Sequence, residues 1–211
     1  MENFIHVWGE RLPHEICDEI IDCFETNFKN NPNNFQNDGL LFNRLNMSRK
    51  DLSIDLKAFK RPHLIDSVNH HIFNCLEQYK QYYGQLAYIN YTTNNQFKVQ
   101  RTLPLGGYHE WHFENAPYSD MCLREIVWTI YLNDMPPFEA ETEFLYQAVK
   151  VRPEKGSICL FPAAMTHVHR GLTVYSHPKY IVTGWFSKIL KDSDLINHQE
   201  QLEFNFEGNN L

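Results

Sequence analysis

The hydrophobic period of this chain changes once, at Gly84, and that change limits the folds open to it. Before Gly84 the apolar residues recur at helical spacing. Residues 13–29, PHEICDEIIDCFETNFK, carry Ile16, Ile20, Phe24 and Phe28 on one face, with Cys23 beside them and acids opposite. Pro13 suits a first helical turn. Residues 62–83 repeat the pattern with Ile65, Val68, Ile72, Leu76, Tyr79 and Tyr83, and Gly84 marks the end. Beyond it, residues 97–101, 126–132, 156–161 and 180–186 are rich in β-branched and aromatic side chains, as strands are. Turn clusters at 104–107, 133–137, 153–156 and 176–178 separate them. Two helices followed by short strands predict an α+β, mainly β protein, with the helices packed on one face of a sandwich or barrel. The Asn-rich stretch from Asn27 to Asn46, with Pro32 and Gly39, reads as a long loop. The last 20 residues are polar, with Leu202, Phe204 and Phe206 in alternation, and read as an edge strand or a tail.

Composition excludes some functions. The 211 residues suffice for one domain with a real core. With 26 acids against 19 bases the net charge is −7, which argues against nucleic acid or an anionic membrane as partner. The longest dense apolar stretch, Ile126 to Leu132, is far too short to span a bilayer, and the first residues do not read as a signal peptide. Five scattered cysteines without a CxxC fit a reduced, cytoplasmic protein. No internal repeat is present.

The 11 histidines are the count that hints at chemistry. On a strand, residues i and i+2 share a face, so His112 and Glu114 in His112-Phe113-Glu114 can converge on one ion. A His-x-acid pair is expected by chance, and a second one, His198-Gln199-Glu200, lies in the polar tail. His112 differs in having a second cluster downstream, His167-Val168-His169, just after a strand that ends in Phe161-Pro162. Two histidines and a carboxylate are the donor set of a non-haem Fe(II) centre with an open coordination face. On strand parity alone, either His167 or His169 can be the third ligand.

The following residues carry a resemblance. The chain reads His169-Arg170-Gly171-Leu172-Thr173-Val174, then Lys179-Tyr180, then Trp185. Upstream it has Tyr131-Leu132-Asn133, Glu141-Thr142-Glu143-Phe144 and VKVRPEKGSICLFP at 149–162. Over about 97–187 this resembles the prolyl 4-hydroxylase-like branch of the 2-oxoglutarate- and Fe(II)-dependent dioxygenases. That branch has His-x-Asp on one strand, a distal His-x-Gly-x-x-Val, and a Lys or Arg on the strand after it. Two departures stand out: the Gly-Gly pair before the Glu-Thr-x-Phe segment is missing, and Glu114 replaces the usual Asp, one methylene longer.

The resemblance implies a double-stranded β-helix, a jelly roll of cupin-like type, with N-terminal supporting helices. Residues 1–211 then form a single domain: 1–95 helices and loop, 96–188 the core barrel, 189–211 a polar C-terminal segment. It implies Fe(II) held by His112, Glu114 and His169, the glycine after His169 and the ten-residue step to Lys179 selecting His169 over His167. It implies 2-oxoglutarate as cosubstrate, its far carboxylate on Lys179 with Tyr131 and Thr183 nearby, and dioxygen as oxidant. Arg124 and Trp111 are expected to contact substrate, with the loop at 30–46 as a lid. Hydroxylation of an unactivated C–H follows, on a prolyl residue of a peptide or protein. A free amino acid or other small molecule is the alternative substrate, and Glu114 keeps a non-catalytic cupin-like binding module open. The acidic composition favours a neutral or basic substrate.

Overall fold

The computed structural model describes residues 2–37, 51–93, 97–115 and 119–189. The lid expected at 30–46 and the strand or tail expected at the C-terminus fall largely outside these residues. The described residues hold two α-helices, α1 (His14–Asn30) and α2 (Pro62–Tyr82). The strands are β1 (His6–Trp8), β2 (Gln36–Asn37), β3 (Asp51–Asp55), β4 (Tyr91–Thr92), β5 (Lys98–Thr102), β6 (Arg124–Tyr131), β7 (Thr142–Phe144), β8 (Val149–Val151), β9 (Ile158–Pro162), β10 (His169–Gly171) and β11 (Lys179–Lys188). The larger sheet runs β1-β9-β6-β11-β5-β3-β2, with β4 also on β11, and the smaller runs β10-β7-β8; all pairings are antiparallel. This is the jelly-roll arrangement, with helices against the outer face of the larger sheet.

Alternation along the strands divides the interior in two. Ile126, Trp128 and Ile130 of β6, Val182 and Phe186 of β11, and Ile158 and Leu160 of β9 point to the helices. There they meet Ile20 and Phe24 of α1 and Val68, Ile72 and Leu76 of α2. The intervening Val127 and Tyr131, with Cys159 and Phe161, point the other way, onto Phe144 and Val151 of the smaller sheet. Period-two alternation sends successive side chains to opposite faces, so one strand serves both layers.

The helical boundaries match the sequence reading with one correction. Helix α1 continues through Asn27 to Asn30, where a loop was expected. The Asn27 amide bonds back to the Cys23 carbonyl (2.8 Å) and Phe28 packs against the core, so the helix keeps its register. At the turn before β9, Gly156 has φ +76° and its carbonyl accepts from Arg11 and Leu12 N–H; a Cβ there would lie 2.5 Å from the Leu12 carbonyl oxygen. Glycine is needed on both counts.

Candidate active site

A cavity of about 390 Å³ opens between the two sheets. One wall comes from the inward positions of the larger sheet: Lys98, Gln100 and Thr102 of β5, and Lys179, Ile181, Thr183 and Trp185 of β11. His112, Glu114, Arg170 and His169 line the facing side.

His112, Glu114 and His169 come together there, with one potential ligand atom each and all three atoms within 4.8 Å of one another. The backbone positions them. His112 and His169 exchange both main-chain hydrogen bonds (3.0 and 2.9 Å), which sets the two rings side by side at 4.4 Å between centroids. The chain then bends, and Glu114 N–H donates to Ala163 O at 2.9 Å. His112 and Glu114 therefore converge through a single bridge and a bend rather than along a regular strand.

The ring nitrogens are assigned by their partners. His112 Nδ1 lies 2.9 Å from Glu110 O, and His169 Nδ1 lies 2.9 Å from His167 O. A carbonyl only accepts, so each Nδ1 carries the proton and each Nε2 presents its lone pair to the centre. Both Nε2 atoms face one carboxylate oxygen, Glu114 Oε1, at 3.4 and 3.9 Å. Burial, reinforced by His112, pulls the His169 pKa down to about 4, so this imidazole stays neutral and able to ligate near neutral pH. Burial alone would raise the Glu114 pKa. The neighbouring His112 and His169 rings and the Arg124 guanidinium outweigh it and hold the carboxyl low, at about 2. Two imidazoles and an ionised carboxylate on one side of an open cavity suit Fe(II) in donor type and leave coordination positions free.

His167 is excluded from this cluster, contrary to the strand-parity argument that either histidine could serve. Residues Met165–His167 form a 3-10 turn, and β10 starts only at His169. The His167 ring turns away: Nε2–H donates to Asn3 O (2.8 Å), and Thr166 Oγ1 lies 3.0 Å from Nδ1.

Glu114 has a second contact that accommodates its extra length. Its other oxygen, Oε2, lies 3.6 Å from Arg124 Nη1. Arg124 is buried, with its guanidinium 3.6 Å from the centroid of the Trp185 ring. The carboxylate is thus divided, Oε1 to the histidines and Oε2 to a cation that is itself held by stacking. Arg124 lines the cavity, as a substrate contact would, and its ion pair ties it to the candidate ligand Glu114. Trp111 does not line the cavity; its ring packs on Arg170 (4.3 Å), which pairs with Glu143 at 2.7 Å.

Lys179 lies deeper. Only 8% exposed, its ammonium donates to Ala140 O at 2.6 Å and stands 5.5 Å from the Tyr131 ring centroid. Burial pulls its pKa down to about 8. A buried ammonium with a carbonyl for partner is poised for an anion. Tyr131 is fully buried, its hydroxyl 2.8 Å from Thr142 Oγ1, while Thr183 Oγ1 donates to Trp128 O at 3.0 Å.

Several cavity residues were not singled out from sequence. Tyr108 packs its ring 4.0 Å from that of His112, and Phe161 lies 4.8 Å from His169. Lys98 and Gln100 share the parity of Lys179 in the β5–β11 register and were findable on that ground. Tyr108 sits in irregular chain with no period to reveal it.

Residues 97–187 match the model of the 2OG-Fe(II) oxygenase superfamily. The fold is similar to that of several solved structures, three of which follow. The viral collagen prolyl hydroxylase of Paramecium Bursaria Chlorella virus-1, in its 2OG complex, has a TM-score of 0.64 at 18% identity, covering 88% of this chain and 97% of that one. A prolyl hydroxylase from Trichoplax adhaerens, in complex with a hypoxia inducible factor peptide fragment, gives 0.64 at 19% identity, covering 88% and 84%. A Pseudomonas putida prolyl-4-hydroxylase gives 0.54 at 15% identity, covering 89% and 94%. No curated protein sequence matches the chain.

Proposed function

We propose that this 2-oxoglutarate-dependent Fe(II) dioxygenase hydroxylates a prolyl residue of a peptide or protein. The observation that carries the reading is the pairing, in one cavity, of the His112–Glu114–His169 cluster with the buried cation Lys179. The three structural neighbours, prolyl hydroxylases by name, support the choice of substrate.

In this reading His112, Glu114 and His169 hold Fe(II), and Lys179 takes the far carboxylate of 2-oxoglutarate, with Tyr131 and Thr183 beside it. Together with dioxygen, the bound iron and cosubstrate supply the oxidising power that inserts oxygen into an unactivated C–H, giving succinate and carbon dioxide. The protein's part is geometry. The carbonyls of Glu110 and His167 lock the imidazole tautomers, Arg124 orients the carboxylate, and the two sheets exclude water from the reacting carbon.

The test is succinate release from 2-oxoglutarate with added Fe(II), with and without proline-containing peptides, and hydroxyproline detected by mass spectrometry. Iron-dependent succinate with hydroxyproline in the peptide is the expected result. Succinate without any hydroxyproline, and a product on a free amino acid instead, would replace the peptide reading with the small-molecule one.

A further inference from the structure

His167 does not join the cluster, yet it is only 4% exposed and its ring is engaged at both nitrogens. A carbonyl only accepts, so the contact with Asn3 O at 2.8 Å puts the ring proton on Nε2. Nδ1 then accepts from Thr166 Oγ1 at 3.0 Å. The ring thereby ties the turn Met165–His167 to residues 3–5, which lead into β1. The main chain of the same residue faces the cluster: His167 O accepts from His169 Nδ1–H at 2.9 Å. One residue therefore takes a hydrogen bond from the candidate ligand and gives one to a segment 164 positions away.

Residues 3–5 are held as a strap. The Tyr79 hydroxyl of α2 donates to Phe4 O at 2.9 Å, and the Phe4 ring stacks on Tyr83 at 4.5 Å. Asn3 Oδ1 accepts from Ile5 N–H at 3.1 Å, closing a turn around Phe4. Phe4 has φ +56°, a conformation that a residue with a side chain keeps only where its surroundings impose it. Ile5 packs on the cluster that contains Phe144 and Phe161. Those two rings lie 5.7 and 4.8 Å from that of His169. The strap thus meets the distal histidine through a hydrogen-bonded route, by way of His167, and through a packed one.

We infer that His167 is a positioning residue for the candidate metal ligand His169, and that residues 3–5 act on the metal centre through it. A ligating imidazole is oriented by the acceptor on its other nitrogen. Here that acceptor is the His167 carbonyl, whose aim depends on how the residue is held. The turn bond from His167 N–H to Ala164 O (2.9 Å) fixes its backbone on one side, and the ring bond to Asn3 O anchors its side chain. Releasing the ring lets the turn relax and swings the carbonyl off the line of the His169 N–H. The two histidines of His167-Val168-His169 then have separate tasks, one to ligate and one to aim the ligand. This inference rests on the reading of His112, Glu114 and His169 as a metal centre, and not on any choice of substrate.

Co(II) binding tests it without turnover. The full chain is titrated with Co(II) under nitrogen, followed by calorimetry and by the visible d–d absorption, well below the melting temperature of every variant. His167→Phe keeps a ring between Phe4 and Phe144 and loses the donor. It is expected to weaken Co(II) binding about tenfold, as losing an outer-shell partner does, and to shift the d–d band. His167→Gln, whose amide N–H can reach the Asn3 carbonyl, should restore most of the affinity and the wild-type band. Tyr79→Phe frees the strap from α2 and should weaken binding less, with no further loss when added to His167→Phe, since the two act along one route. Wild-type affinity and band in His167→Phe or in Tyr79→Phe would overturn the inference. So would equal losses in His167→Phe and His167→Gln, which would make the role one of packing, or full additivity of Tyr79→Phe and His167→Phe. A wild-type protein that binds no Co(II) sinks the metal-centre reading itself; one that binds it while the variants match it sinks only this inference.

Discussion

The two faces of the larger sheet are built from the same strands and have opposite character. On β6, Ile126, Trp128 and Ile130 face the helices and are almost fully buried in apolar contact. One residue along, Thr129 lines the cavity and Tyr131 packs into the core between the sheets, each with a hydroxyl engaged by another hydroxyl. On β11, Val182 and Phe186 belong to the helix-side core while Lys179, Ile181, Thr183 and Trp185 line the cavity. The outer face stabilises by burial, which is non-directional and tolerates exchange among apolar residues. The inner face holds polar and charged groups that cost stability when no ligand is present. A strand with period two can carry both tasks only because a substitution on one face is invisible to the other.

That separation can be broken from either side. The largest effect is expected from His169→Ala, which removes a candidate ligand without touching the helix-side core. Losing an outer-shell partner of a ligand costs roughly 10–100-fold in metal affinity, so losing a ligand should exceed about 100-fold. Calorimetric titration of Co(II) or anaerobic Fe(II) into the apo protein measures it, with a melting temperature close to that of the wild type. Trp128→Ala attacks the opposite face. It should cost about 3–5 kcal/mol in chemical denaturation, yet leave the 2-oxoglutarate dissociation constant within about twofold in the remaining folded protein. Loss of cosubstrate affinity in that variant would show that the faces are coupled.

Lys179→Met should move both properties in opposite directions. The buried ammonium is shifted from 10.5 to about 8, which corresponds to roughly 3 kcal/mol against folding while the group is charged in both states. Removing it orphans the Ala140 carbonyl at a cost of about 1 kcal/mol. The apo protein should therefore gain about 2 kcal/mol at pH 7, while the Michaelis constant for 2-oxoglutarate rises. A smaller loss is expected from Arg124→Gln, about tenfold in metal affinity, with less effect of the same change in a Glu114→Asp background. The gentlest probe is pH. Below about 8 Lys179 is protonated in the free protein and cosubstrate affinity should be flat. Above it, affinity should fall by up to about tenfold per unit as the ammonium deprotonates.

The helix-side layer was the more legible in sequence. Both helices and β5, β6, β9 and β11 are long enough to show a period, and their apolar positions are the ones buried. Strands β1, β7, β8 and β10 are three residues each, too short for a period to register. The cavity was legible where a spacing linked residues: His112, Glu114, His169 and Lys179 all line it. It was not legible where the backbone leaves the strand. His167 sits in a 3-10 turn, so its parity with His169 does not bring it to the cluster. Nor does the sequence link Arg124 to Glu114, ten residues away; folding brings them to 3.6 Å.

In the proposed reading, the cluster of His112, Glu114 and His169 is the centre at which the protein turns over 2-oxoglutarate. Succinate production by the purified protein, wild type beside His169→Ala, with and without added Fe(II), tests it most directly. Iron-dependent succinate from the wild type and none from the variant is the expected result. Equal turnover by the variant, or none by the wild type with iron supplied, would contradict it.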